Sequence, residues 1–298
     1  RQSVSVAAAS LRQAYTLVVE QKQSSAVLRH QDAPSSSTST VTSGEVAPKV
    51  VAPPSTINNI LDISPVELAR QLALMRYAVF KEIRPREFCN LAWTKKDAAR
   101  RAPNIAKIIK AFNNMGSLVT CMVLSQQEAR ARTKYLKYFL QLAQESRALR
   151  NYSTTMEVTA ALAAAPIARL HKSWNSKLRA QFAELEQLMQ ANFHELRNIT
   201  ANAAPPCIPY LGLYFTDLVF IEEGNPNYLR DAPNLINWEK AKMASLIIAE
   251  VQRFQPVPFV LTPCTAIQTW LTNTLSASYM SDTQANQMSL TLEPRDSK

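Results

Sequence analysis

The sequence predicts an all-α fold, on three observations. Apolar residues recur at three- and four-residue spacings through most of the chain beyond residue 64. Helix-start and helix-stop residues flank these runs. Stretches that alternate apolar and polar residues in the manner of strands are almost absent.

Taken in order, residues 7–31 have helical composition, and Leu11, Tyr15, Val18 and Val19 share one face of the predicted helix. Residues 32–58 follow, rich in Ser, Thr, Pro and Ala. The stretch PSSSTSTVTSGE has too little apolar surface to offset its ordering entropy, so a disordered linker is predicted. The character changes at Ser64-Pro65-Val66-Glu67, where an N-cap serine, a proline at the first helical position and a glutamate at the third make a helix start. Leu68, Leu72, Met75, Val79 and Ile83 then form an apolar stripe that ends before Pro85. Further helices are predicted at 87–92, 103–115, 118–124, 126–149, 153–165, 176–191, 193–202, 208–223, 235–255 and 263–275. Pro166 stops the alanine-rich stretch, and Gly224 with Pro226 marks a helix C-terminus. The expected organisation is an N-terminal segment (1–31), a linker (32–58) and one helical domain (59–298).

Composition excludes several functions. The four glycines, Gly44, Gly116, Gly212 and Gly224, are too scattered to build a phosphate-wrapping loop, so no nucleotide cofactor is expected. His30, His171 and His194 make no zinc spacing with Cys89, Cys121, Cys207 or Cys264, so no metal is expected. No run of about 18 apolar residues is present to span a bilayer, and Arg1 to Ser10 lack an apolar core followed by a cleavage site. With cysteines far apart, a cytoplasmic protein with reduced thiols is expected. The net charge of +10 is dispersed among acidic residues, and its densest spots lack interleaved aromatics, which argues against nucleic acid as a partner.

Six strings, in this order, resemble the catalytic domain of Ras-family guanine-nucleotide exchange factors, the group that includes Son of sevenless. They are SPVELARQLALM (64–75), IRPREFCNLAWTKKD (83–97), APNIAKIIKAFN (102–113), PIARLHKSW (166–174), PPCIPYLGLYFTDLVFIEEGNP (205–226) and LINWEKAKM (235–243). The resemblance runs from Asn59 to the C-terminus. It implies a helical bowl with a protruding hairpin built from about 208–223 and 235–255. That hairpin enters the nucleotide site of a Ras-family small GTPase, displaces its switch I and magnesium, and promotes GDP release and GTP loading without covalent chemistry. The implied partner is the nucleotide-free GTPase, met at the membrane where the GTPase resides, with no insertion of this chain into the bilayer.

By the same resemblance Val219 and Glu223 hold the two wedge positions, and Tyr210, Phe193, Trp93, Lys110, Ala163 and Met243 are the expected GTPase contacts. Independently of it, Val219 and Glu223 are four residues apart and so share a helix face. Glu222 and Glu223 close the predicted helix, where its dipole disfavours anions by about 0.3–1 kcal/mol each. Such a broken local rule, with no compensating residue evident, points to function. Three features depart from the family pattern: Ala163-Ala164-Ala165 stands where Asn-Ser-Ser is common, Val219 where leucine is frequent, and the chain is about two residues shorter than usual between Trp174 and Ser176. The missing asparagine favours a second reading, a catalytically weak module that binds GTPases as a scaffold. A covalent enzyme is disfavoured, because no nucleophile, base and orienting group are legible together.

Overall fold

A computed structural model describes residues 57–277 and 280–294. The segments predicted for 1–31 and for the linker up to residue 56 lie outside the described residues.

Among the described residues the regular elements are helices, and β pairing is limited to isolated bridges at Asn151 with Ile208 and Tyr228 with Ile236. Helix α1 (Pro65–Phe80) starts as its sequence dictates: the Ser64 hydroxyl accepts from the Glu67 amide at 3.2 Å and proline occupies the first turn. A 3₁₀ turn (Pro85–Glu87), an irregular 3₁₀ segment (Cys89–Thr94) and α2 (Ala98–Arg101) lead into α3 (Pro103–Leu124). The Glu87 carboxylate, buried, accepts from the Asn104 amide at 2.8 Å and the Ile105 amide at 3.2 Å, so a side chain from the preceding turn caps α3. Then come α4 (Ala129–Ala148), α5 (Tyr152–Ala163), α6 (Ala165–Ala168), α7 (Ser176–Glu186), α8 (His194–Ala201), α9 (Leu211–Gly224), α10 (Trp238–Gln252), α11 (Thr265–Leu275) and α12 (Asp282–Leu292).

Helix α5 sits at the centre, packed on α3, α4 and α1, and nearly all of its residues are buried. Its Glu157 meets Arg76 of α1 through two short hydrogen bonds, Nε to Oε1 at 2.9 Å and Nη2 to Oε2 at 2.8 Å, and accepts a third from Ser153. A second buried pair, Arg132 with Glu293 at 3.0 Å, ties α4 to the end of α12, with Ser173 bonded to both.

Several predicted boundaries shift. The predicted helices 103–115 and 118–124 are one helix, because the cost of Gly116 inside it, about 1 kcal/mol, is outweighed by burial of Met115, Leu118, Val119, Val123 and Leu124. The predicted 87–92 helix breaks where Asn90 and Leu91 take left-handed backbone angles. The predicted 176–191 helix ends at Glu186 and passes through a 3₁₀ turn (Gln187–Met189) to extended Gln190, and left-handed Asn192 and Phe193 delay the helix predicted at 193–202 to His194. Residues 208–210 are not helical: the Ile208 amide donates to Arg150 O at 3.0 Å and Ile208 O accepts from the Tyr152 amide at 2.9 Å, which holds this stretch extended against the start of α5. Helix α10 begins at Trp238 rather than 235, behind an Asn237 cap.

Candidate functional site

Residues 207–210 deliver the chain into α9, and that helix carries the two predicted wedge residues, Val219 and Glu223, with Tyr210 at its N-cap. Leu211, Leu213, Tyr214, Phe215 and Leu218 of α9 are buried, Val219 to Glu222 are half-buried, and Glu223 and Gly224 are exposed. The base of α9 is firmly held. Phe215 stacks on Trp93 at 4.8 Å with the rings 26° apart, Asp217 takes a two-point hydrogen bond from Arg197 of α8 at 2.7 and 2.8 Å, and the Tyr214 hydroxyl donates to Glu250 of α10 at 3.3 Å. Burial pushes the Tyr214 phenol above its ordinary range, with the nearby Glu250 carboxylate adding to the shift.

Helices α9 and α10 run antiparallel, since the start of α9 meets the end of α10 and the end of α9 meets the start of α10. Arg253, just after α10, donates to Thr200 O and Ala201 O at 2.8 and 2.9 Å, and Phe254 is fully buried, so this end is rooted in the core. Burial falls away toward the other end. There Tyr228, Leu235, Ile236 and Trp238 are more than half exposed, Trp238 at 73%, and Leu246 and Met243 are also exposed along α10. Large apolar groups left in water at one end of a helix pair mark a contact surface.

At that end Lys240, a buried residue of α10, reaches back to α9. Its ammonium pairs with Glu222 Oε2 at 3.1 Å and donates to Glu222 O at 3.3 Å and to Asn227 Oδ1 at 2.6 Å. This corrects one sequence expectation. Of the two carboxylates that close α9, Glu222 is compensated by a cation at the helix C-terminus, the placement the dipole favours. Its presence is therefore explained by structure, and Glu222 no longer counts as a broken rule.

The predicted contacts distribute unequally. Tyr210 and Phe193 meet, ring centres 5.9 Å apart, and Phe112 of α3 packs on the other side of Tyr210 at 5.8 Å. Phe112 escaped sequence reasoning because it read as one more apolar residue of its helix. Burial pushes the Tyr210 phenol up to about 12. The Tyr210 ring lies over Gly212, where a Cβ would collide with it. A cavity of about 30 Å³ opens beside it, lined by Ile108, Ile109, Phe112, Ser153, Tyr210 and Phe215. Lys110 is exposed on α3, less than one turn from Phe112. Trp93 is buried at 9% exposure and serves to seat α9 through Phe215. Ala163 is half-buried at the end of α5 away from Ser153, about 15 Å along that helix.

The helix pair is rooted in the core at one end and leaves large apolar side chains in water at the other. Residues 67–242 match the RasGEF domain family, and the chain belongs to that family. It is similar to Ras-specific guanine nucleotide-releasing factor 1 of Rattus norvegicus, 34% identical over 237 residues, covering 78% of this chain and 19% of that protein. It is also similar to Ras guanine nucleotide exchange factor K of Dictyostelium discoideum, 36% identical over 245 residues, covering 80% of this chain and 15% of that protein. A third relative is Ras-specific guanine nucleotide-releasing factor 2 of Danio rerio, 34% identical over 238 residues, covering 78% of this chain and 19% of that protein. The match spans a fifth or less of the length of these relatives. Among the described residues no helix is long and apolar enough to cross a membrane.

Proposed function

We propose that this chain is a guanine-nucleotide exchange factor for a Ras-family small GTPase, and that residues 59–298 form the exchange domain. The observation that carries the reading is the end of α9. Val219 and Glu223 share a face of a helix whose base is fixed in the core and whose last turn reaches the exposed end. Exchange is catalysis by differential binding: the factor must hold the nucleotide-free GTPase more tightly than the loaded one. An isopropyl group at the magnesium position cannot ligate the ion, so Val219 opposes the metal. A carboxylate beside the phosphate-binding loop takes hydrogen bonds otherwise made to phosphate, so Glu223 opposes the nucleotide. Tyr210, Phe193, Lys110 and Met243 supply the surrounding contact surface, and Trp93 supports it from beneath.

A second reading, a scaffold that binds GTPases without releasing nucleotide, is favoured by Ala163, which brings no hydrogen-bonding side chain to a position where the family commonly has an amide. Affinity for the GTPase before and after EDTA stripping separates the two. An exchange factor binds the stripped form at least tenfold more tightly and is released by added GDP or GTP. A scaffold binds both forms alike.

Within the exchange reading, Gly212→Ala is expected to act at Tyr210. The new Cβ pushes the ring out of its seat between Phe112 and Phe193, so binding to the stripped GTPase weakens by about 2 kcal/mol, as for truncation of an aromatic anchor. Titration calorimetry against the stripped GTPase measures it, and parental affinity would show that the ring is not an anchor.

A further inference from the structure

We infer that Lys240 is a positioning residue for exchange: it locks the last turn of α9 so that Val219 and Glu223 are presented in one fixed geometry. The inference rests on the proposed exchange reading for its functional half, but its structural half stands on the ion pair and hydrogen bonds alone.

A lysine is rarely buried unless it is paired, and Lys240 makes one ion pair and two hydrogen bonds. The acceptors are the Glu222 carboxylate at 3.1 Å, the Glu222 carbonyl at 3.3 Å and the Asn227 amide oxygen at 2.6 Å. The Lys240 side chain is 10% exposed and the Glu222 side chain 28%. The three acceptors come from the last turn of α9 and from the connection that follows it, whereas Lys240 itself sits in the first turn of α10. One ammonium therefore joins three pieces of chain.

The last carbonyls of a helix have no partner within it and the last turn frays unless something caps it. In α9 two of these carbonyls are capped by side chains, Ile221 O by Asn225 Nδ2 at 3.0 Å and Glu222 O by Lys240. The connection is closed in turn by Asn237, whose amide donates to Asn227 O at 2.9 Å and whose side chain donates to Pro226 O at 3.0 Å. Lys240 is the charged member of this set and also the partner of Glu222, next in sequence to Glu223. Without it, the Glu222 carboxylate would lose its cation at the negative end of the helix dipole, which favours unwinding of that turn. A wedge pressed against a second protein depends on position, and a misplacement of about 1 Å costs on the order of a hundredfold in rate.

The test combines hydrogen exchange with a double-mutant cycle. Lys240→Met keeps the apolar stem and deletes the ammonium. Amides at 219–224 are expected to exchange with deuterium at least tenfold faster in this variant, while those at 211–218 keep parental protection. Unchanged protection at 219–224 overturns the inference whatever the GTPase results. In nucleotide-release assays Lys240→Met is expected to slow release tenfold or more. Combined with Glu223→Ala it should release nucleotide at nearly the rate of Glu223→Ala alone, because a misplaced carboxylate has little left to lose. Multiplicative losses would assign Lys240 to general stability and overturn the positioning role. Should Lys240→Met fail to fold, Glu222→Gln weakens the same lock from its half-exposed side, with the same region of faster exchange and the same non-additivity expected at smaller amplitude. Absence of release by the parental protein would count against the proposed function, whereas additive losses or unchanged protection would count against Lys240 alone.

Discussion

Replacement of Glu157 by alanine should destabilise the domain by about 3–5 kcal/mol. Glu157 is fully buried in α5 and is the counter-ion of Arg76, itself 6% exposed, in α1. Removing the carboxylate strands a guanidinium away from water and leaves Ser153 without its acceptor. The cost is that of an uncompensated buried charge, not of a lost contact. The double variant Arg76→Met with Glu157→Leu is therefore expected to recover most of the loss, since an apolar pair of similar size replaces a buried ion pair at little cost. Urea unfolding monitored by circular dichroism reads both. A loss below about 1 kcal/mol for Glu157→Ala would mean that water reaches this pair and that α1 and α5 are not held by it.

The second large effect concerns rate. Glu223→Ala should slow nucleotide release from the GTPase tenfold or more, equivalent to about 1.4 kcal/mol of barrier. Glu223 is exposed in the last turn of α9, so its loss removes an anion from the negative end of the helix and stability should be unchanged or slightly improved. Val219→Ala shortens the group proposed to oppose magnesium, so its defect should shrink when EDTA removes the metal beforehand, whereas the Glu223 defect should persist. Stopped-flow release with and without EDTA, alongside melting temperatures, separates the two roles. A Glu223→Ala protein that exchanges at the parental rate, or that unfolds, would remove Glu223 from the wedge.

The helices that were legible in the sequence are those with local punctuation. Ser64-Pro65 starts α1, and Asn175 and Asn237 cap α7 and α10 through their side chains. Helix α12 carried the same kind of signal, since Ser281 and Gln284 form a capping box, yet its polar composition kept it from being predicted. Breaks at Asn90-Leu91 and Asn192-Phe193 carried half a signal: asparagine adopts left-handed angles readily, whereas nothing local marks Leu91 or Phe193 for them. At the candidate site, Tyr210 and Phe193 were proposed from the family resemblance, whereas Phe112 and Lys240 were not. Both owe their place to residues distant in sequence or across a turn, and no spacing rule distinguishes a buried lysine from the exposed lysines beside it.

Exchange activity itself is tested most directly by the release of fluorescent GDP and of fluorescent GTP from a panel of Ras-, Rap- and Ral-type GTPases with this protein added at micromolar concentration. At least one member of the panel is expected to release both nucleotides faster, by similar factors, because a catalyst lowers the barrier without choosing the direction. A panel in which no member responds would contradict the assignment of this chain as an exchange factor.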